Sequence, residues 1–264
     1  MELKTLDIFC EIIDNYGDIG VVYRIAKELD KIFPNSKIRV FLNRLEEFKK
    51  INSQVKDTPC QIIDGIEYIT FDYVQKKAKE LSTSQVIIEA FGCKIPDEYM
   101  EIAYGNSELL INLEYLSAED WIEDFHLQSS PLGKEKLKKV FFMPGFTEKS
   151  GGIIADSNYL ERIEKVIKNR DFYTKKYLGN IENRDKKIVG TLFSYEKNFT
   201  TLFEELKKLD REVVILAMGE KTQESLKKIF EKNLIEDFRN SLKYGKIEVR
   251  FLEFLNQEEY EELI

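Results

Sequence analysis

Short β-rich runs alternate with amphipathic helical stretches along the first half of this chain, and that alternation leaves few architectures open. Strands are expected at Leu6–Ile13, Lys37–Leu42, Gln61–Ile63, Tyr68–Phe71, Gln85–Ala90, Leu109–Leu113 and Val140–Met143. Between them, Val21–Phe33 places apolar residues at Val22, Ile25, Ala26, Leu29 and Phe33, the spacing of one helical face. Tyr73–Leu81 and Pro96–Tyr104 read as further helices, the latter with proline at its start. Strands separated by helices predict an α/β fold in which a parallel sheet is covered on both faces.

The pattern then changes. Residues 155–187 are polar and helical, with Ile163, Val166 and Ile167 forming a narrow apolar stripe. A second alternation follows: strand Lys187–Phe193, helix Asn198–Leu209, strand Glu212–Met218, helix Thr222–Lys232 and strand Ile247–Leu252. Two domains are therefore expected, 1–165 and 166–264, with the boundary inside 155–186. Gln257–Ile264 (QEEYEELI) reads as the opening turns of a helix without a C-terminal cap. With only three strands expected in the second sheet, the chain is expected to be a fragment whose continuation is missing.

Charge and rare residues narrow the chemistry. A net charge of −8 argues against a protein that grips a nucleic-acid backbone. The basic run Lys134–Lys139 (KEKLKK) carries a glutamate and reads as a solvated helix face. No apolar run is long enough to span a bilayer, and the first residues lack the apolar core of a signal peptide. The three cysteines, Cys10, Cys60 and Cys93, show no metal-ligand spacing, so no metal is expected and a reducing, cytoplasmic setting is. His126 is the only histidine, which moves any acid–base chemistry onto carboxylates.

The strongest local signal is DNYGDIG, Asp14 to Gly20, between the first strand and the first helix. In an open α/β sheet this turn lies at the carboxyl edge of the strands, where ligands bind. It lacks the first glycine of GxGxxG, and Asp14 and Asp18 would repel a pyrophosphate, which weakens a nicotinamide-dependent oxidoreductase reading. Two carboxylates there suit a cation, a sugar hydroxyl or proton abstraction. Asp18 as a helix cap and Asp14 in an Asx turn remain open alternatives. In NLEYLSAEDW, Asn112 to Trp121, Ser117 and Asp120 form a capping-box variant that predicts a helix from about Ala118. Trp121 reads as a core residue, whereas Glu114 and Tyr115 follow the strand edge that also bears the aspartate loop. In FFMPGFTEKSGG, Phe141 to Gly152, Pro144-Gly145 is turn chemistry, and Gly151-Gly152 offers free amides or flexibility. Phe193-Ser194-Tyr195 and Phe254 to Gln257 each follow a strand of the second half; their pattern alone favours buried packing for Phe193 and Phe254.

Together, DNYGDIG with V-x-R-x-A-x-x-L, NLEYLSAEDW, FFMPGFTEKSGG and LFSYE resemble the EarP-type protein-arginine rhamnosyltransferases, from the first strand to Ile264. The resemblance implies a GT-B fold of two facing Rossmann-like domains, the C-terminal one truncated. It implies an inverting enzyme that moves L-rhamnose from dTDP-β-L-rhamnose to an arginine of translation elongation factor P, without a cofactor. The N-terminal lobe would hold the protein acceptor and the C-terminal lobe the nucleotide sugar. Asp18 matches the general base and Asp14 its supporting aspartate, with Asn15, Tyr16, Gly17, Glu114 and Tyr115 on the acceptor side of the cleft. Tyr195 and Gln257 match nucleotide contacts, and Phe193 and Phe254 residues around the thymine. An Arg-Gly-Glu-Asp-Ser stretch that grips ribose and diphosphate is expected beyond Ile264, so donor binding by residues 1–264 is expected to be weak. The alternatives are a GT-B transferase with another sugar or acceptor, and a non-catalytic α/β adaptor for a translation factor.

Overall fold

The computed structural model describes residues 2–13, 17–130, 136–179, 181, 183–230 and 241–263. It divides into two compact units, Met1–Tyr159 and Leu160–Ile264. The division falls at the start of a helix, Tyr159–Lys168, which runs unbroken through the expected boundary at 165/166.

The first unit carries β1 (Thr5–Cys10), α1 (Gly17–Ile32), β2 (Lys37–Leu42), α2 (Glu46–Ile51), β3 (Cys60–Ile63), β4 (Ile66–Thr70) and α3 (Phe71–Lys77). It continues through β5 (Val86–Ala90), α4 (Asp97–Asn106), β6 (Leu109–Leu113), α5 (Ile122–Phe125), β7 (Ser129–Ser130) and β8 (Lys138–Phe142). These strands form one sheet in the order β3-β4-β2-β1-β5-β6-β8-β7. Its six inner strands are parallel, as the alternation predicts, while each edge is closed by an antiparallel partner. The β3–β4 edge is a hairpin turning through Asp64 (φ 51°) and Gly65 (φ 83°), the two left-handed positions that a tight hairpin requires.

Period-two alternation sorts the strand side chains onto two cores. Ile8, Val40 and Tyr68 pack against Val22 and Ala26 of α1 and Phe48 of α2. Phe9, Phe41 and Ile69 pack on the opposite face against Val74 of α3 and Tyr99 of α4. Phe9 and Phe41, adjacent in register, stack with centroids 4.4 Å apart. Each fully buried ring of this size contributes about 1.5–3 kcal/mol. A charged pair is buried in this core. Asp7 on β1 faces Arg39 on β2, bonded at 2.7 Å and 2.6 Å and closed by the Tyr99 hydroxyl and the Ser82 carbonyl.

Several expectations shift. The first strand stops at Cys10 rather than Ile13, because the Asn43 side chain takes both the N–H and the carbonyl of Ile12 out of the ladder. The first helix starts at Gly17, four residues before Val21, because Ile19 is fully buried and draws the glycine-rich segment into the first turn. The Lys134–Lys139 helix face is absent at its described end: Leu137 is buried and Lys138 and Lys139 open β8, with Lys139 paired to Glu89. Lys134 and Glu135 lie outside the described residues. The helix expected at Ala118 is also absent. A bridge between Ser117 and Gly145 keeps that backbone extended, and the helix α5 begins only at Ile122.

The second unit comprises α6 (Tyr159–Lys168), α7 (Arg170–Leu178), β9 (Lys187–Phe193), α8 (Thr200–Lys207), β10 (Glu212–Met218), α9 (Glu220–Phe230), β11 (Ser241–Tyr244), β12 (Ile247–Phe251) and α10 (Gln257–Leu263). Its sheet runs β11-β12-β10-β9, so β11 adds an antiparallel strand to the three expected. One face buries Phe203, Ile215, Phe230 and Val249; the other packs Val214 and Leu216 under Leu178 of α7. Asn256 and Glu259 exchange backbone and side-chain bonds at 3.0 Å and 3.1 Å, a reciprocal cap that starts α10. Arg162 of α6 then holds Glu261, while Lys176 and Tyr177 of α7 hold Glu262.

Candidate active site

Strand order alone locates the topological switch point of the first unit. From β1 the chain builds outward through β2 and β4, then returns to β5 on the other side and continues to β6 and β8. The carboxyl ends of β1 and β5 therefore flank the point where the winding reverses, and loops there diverge to leave a crevice.

Asp18 stands at that point, as the second residue of α1, with 7% of its surface exposed. It lies in the first turn of the helix. Its carboxylate reaches back to accept the Ile13 N–H at Oδ2 (3.2 Å) and across to accept the Tyr115 hydroxyl at Oδ1 (2.9 Å). A negative charge at a helix N-terminus is favoured by the helix dipole. Asn43 and Arg44, following β2, fix the other side of this loop by bonding Ile12 and the Ile13 carbonyl.

Tyr115 follows β6 and is half-exposed. Burial of its phenol, reinforced by the hydrogen bond to Asp18, pushes its ionisation well above the ordinary tyrosine range. Its ring stacks on Phe91 at 4.3 Å and 9°. Glu114 is held by its backbone, whose N–H donates to the Phe142 carbonyl at 3.0 Å. Burial pushes the Cys93 thiol up to about 12 and the Cys10 thiol up also, so neither is a nucleophile at neutral pH. Gly17 is exposed, with open space where a side chain would stand. Asp14, Asn15 and Tyr16 lie outside the described residues.

The glycine loop after β8 is tighter than the sequence suggests. Gly151 donates its N–H to the Met143 carbonyl at 2.7 Å, and a Cβ there would sit 2.7 Å from the Phe142 ring. Gly145 donates to the Gly152 carbonyl, and a Cβ there would meet Ile122 and Ser150. Gly145 and Gly151 thus serve close packing, with their amides bonded, whereas Gly152 takes φ 73° with open space where a side chain would stand. His126 accepts the Met143 N–H at Nδ1 and packs edge-on against Phe142. Trp121, expected in the core, is 48% exposed, held against Phe125 and bonded to Glu119. Once α5 is reduced to a single turn, there is no long apolar face to bury the indole.

In the second unit, Phe193 ends β9, and Phe193, Tyr195 and Phe254 are all about half-exposed. The buried packing expected for both phenylalanines does not form, because each lies at or past the carboxyl edge of the sheet. Phe193 faces the ring of Tyr260 on α10 at 6.4 Å, and the Lys221 ammonium lies 5.4 Å over Tyr195. Gln257 is the first residue of α10, and its side chain lies outside the described residues. Thr222 and Gln223 of α9 tie down the Ser194 and Leu252 backbones, so both aromatic loops leave the sheet from fixed points. Sequence reading passed over Phe91, Tyr260 and Lys221. The Phe91-Gly92 pair after a strand was the one local cue. Among the described residues, no helix is long and apolar enough to cross a membrane.

The family model described as elongation-factor P (EF-P) rhamnosyltransferase EarP matches residues 6–264. The protein-arginine rhamnosyltransferase of Pseudomonas aeruginosa is 35% identical over 163 residues, which is 61% of this chain and 42% of that protein. The protein-arginine rhamnosyltransferase of Shewanella oneidensis is 34% identical over 202 residues, 72% of this chain and 50% of that protein. The chain thus spans about half the length of the curated relatives it matches. The solved structure reported as the basis for EarP-mediated arginine glycosylation of translation elongation factor EF-P superposes with TM-score 0.54. That match has 19% identity and covers 97% of this chain and 62% of the other, and it shows a shared α/β fold of GT-B-like type. The chain belongs to the EarP family of elongation-factor P rhamnosyltransferases.

Proposed function

We propose that this protein transfers L-rhamnose, with inversion, from dTDP-β-L-rhamnose to one arginine of translation elongation factor P. The observation that carries the reading is Asp18: a sheltered carboxylate at the sheet's switch point, each oxygen oriented by one donor. A guanidinium is a poor nucleophile because its lone pairs are delocalised and its pKa lies above about 12. A carboxylate binds it through charge-assisted bonds, localises its positive charge and accepts the proton as the C–N bond forms. Lone pairs of Asp18 beyond those taken by Ile13 and Tyr115 serve that purpose.

Asp14 supports Asp18 in this proposal, and Asn15, Tyr16, Gly17, Glu114 and Tyr115 are assigned to the acceptor side or the cleft. The exposed rings of Phe193 and Phe254 suit contact with a thymine, and Tyr195 and Gln257 bind the nucleotide in the second unit. Backbone amides and basic groups neutralise the departing diphosphate, so the reaction as proposed uses no cofactor. The three free thiols accord with a cytoplasmic location.

The test incubates full-length protein with elongation factor P and dTDP-rhamnose, then locates any added deoxyhexose by peptide mass spectrometry. A single modified arginine supports the reading. Transfer only from another nucleotide sugar, or only to another acceptor, replaces it with a different transferase. Binding of the factor without transfer from any donor indicates the adaptor.

A further inference from the structure

We propose that Tyr115 is a positioning residue for Asp18, and that Phe91 is the clamp that holds Tyr115 in place. The inference rests on the reading of Asp18 as general base and adds the device that aims it. Asp18 and Tyr115 lie 97 residues apart, and the phenol reaches the carboxylate from the loop after β6, across the end of β5. A half-exposed tyrosine on a loop would ordinarily sample several rotamers. Three features remove that freedom. The ring lies flat on Phe91 at 4.3 Å and 9°. The Phe91 N–H donates to the Leu113 carbonyl at 2.6 Å, which locks the β5 exit to the strand that delivers Tyr115. Phe91 also adopts φ 59°, followed by Gly92 at φ 63°. A left-handed backbone at a bulky residue is a true outlier that persists only when its surroundings hold it there.

The left-handed turn swings the Phe91 ring under Tyr115, and the stacked phenol donates to Oδ1. Oδ2 is taken by the Ile13 N–H on the other side. The carboxylate plane is thereby set by two donors, one from the segment after β1 and one from the loop after β6. A base whose plane is set in advance meets its substrate proton without reorganisation, which raises kcat more than it changes substrate affinity.

The experiment uses the full-length protein with its acceptor and dTDP-rhamnose. Tyr115→Phe retains the ring and its stack and removes only the hydroxyl. kcat should fall roughly 10- to 100-fold, the loss of one hydrogen bond to a charged group, with the donor KM unchanged. Phe91→Gly relieves the left-handed backbone and keeps the phenol. Because the Phe91 ring also packs on the sheet core, melting is measured alongside, and the folded variant should lose kcat in the same direction because Tyr115 is no longer held. A readout independent of turnover is the phenol itself. In ¹³C-tyrosine NMR, Tyr115 should ionise at lower pH in Asp18→Asn than in the parent protein. Wild-type kcat in Tyr115→Phe, a loss confined to KM, or an unmoved Tyr115 titration would each overturn the proposal. Normal turnover in Asp18→Asn would instead remove the general-base reading, a different and separately visible failure.

Discussion

Replacing Asp18 by asparagine separates a structural aspartate from a chemical one. The carboxylate accepts two hydrogen bonds, from the Ile13 N–H at 3.2 Å and the Tyr115 hydroxyl at 2.9 Å. Asparagine keeps one carbonyl oxygen, so it retains one acceptor and turns an NH₂ toward the other donor. Tyr115 is half-exposed and its hydroxyl can reorient to water, which keeps the penalty near the low end for a lost partner, about 1 kcal/mol. For a domain the size of the first unit, that is roughly 2–4 °C in Tm. Turnover is a different quantity. An amide cannot accept the guanidinium proton, and loss of a general base costs about 10²–10⁴-fold in rate. Circular-dichroism melting alongside single-turnover mass spectrometry of the acceptor measures both, and donor titration should remain near the parent value. A variant that melts within a few degrees of the parent yet turns over normally would refute the reasoning. One that unfolds would show instead that the carboxylate is a structural tie.

Three further perturbations probe the scaffold. Arg39→Met leaves the Asp7 carboxylate buried without its cation and should cost about 3–5 kcal/mol in urea unfolding; a cost under about 1 kcal/mol would mean the pair is dispensable. Gly151→Ala drives a methyl to 2.7 Å from the rigid Phe142 ring, so about 1–3 kcal/mol of destabilisation is expected, seen as a lower Tm, and an unchanged Tm would show that the ring yields. Burial pushes the Glu262 carboxyl up, but its bonds from Lys176 and Tyr177 outweigh this and hold it below the usual range. A depressed folded-state pKa gives stability that is complete above the unfolded value and lost as pH falls through the folded one. Glu262→Gln should therefore flatten the acid limb of melting temperature against pH; an unaltered limb would place the acid sensitivity elsewhere.

Much of the candidate site was legible from residue order alone. The two-residue and 3.6-residue periods of the apolar side chains predicted the alternation of strands and helices, and DNYGDIG marked the turn at the end of the first strand. Asp18, Glu114 and Tyr115 were singled out because each follows a predicted strand, and in a parallel sheet all such turns share one edge. Where local chemistry conflicted with distant pairing, the local reading gave way. Ser117 and Asp120 offer a capping box, but the bridge from Ser117 to Gly145, 28 residues later, keeps the backbone extended. Lys134–Lys139 reads as a helix face by charge, yet Leu137 is buried and β8 follows it.

The sequence by itself determined the strands and helices whose apolar period is unopposed by distant pairing, β1, β2, β5, β6, α1 and α4 among them, and which loops carry carboxylates, because those properties are settled among residues a few positions apart. Only the tertiary structure decided that Tyr115 bonds Asp18, that Phe91 stacks on Tyr115 from a left-handed backbone, and that Asp7 meets Arg39 inside the core. Those pairings depend on strand order and on one-residue precision of register, since a shift by one residue turns every side chain to the opposite face. No local window of the sequence contains both partners, so burial of the whole sheet selects the register and brings them together.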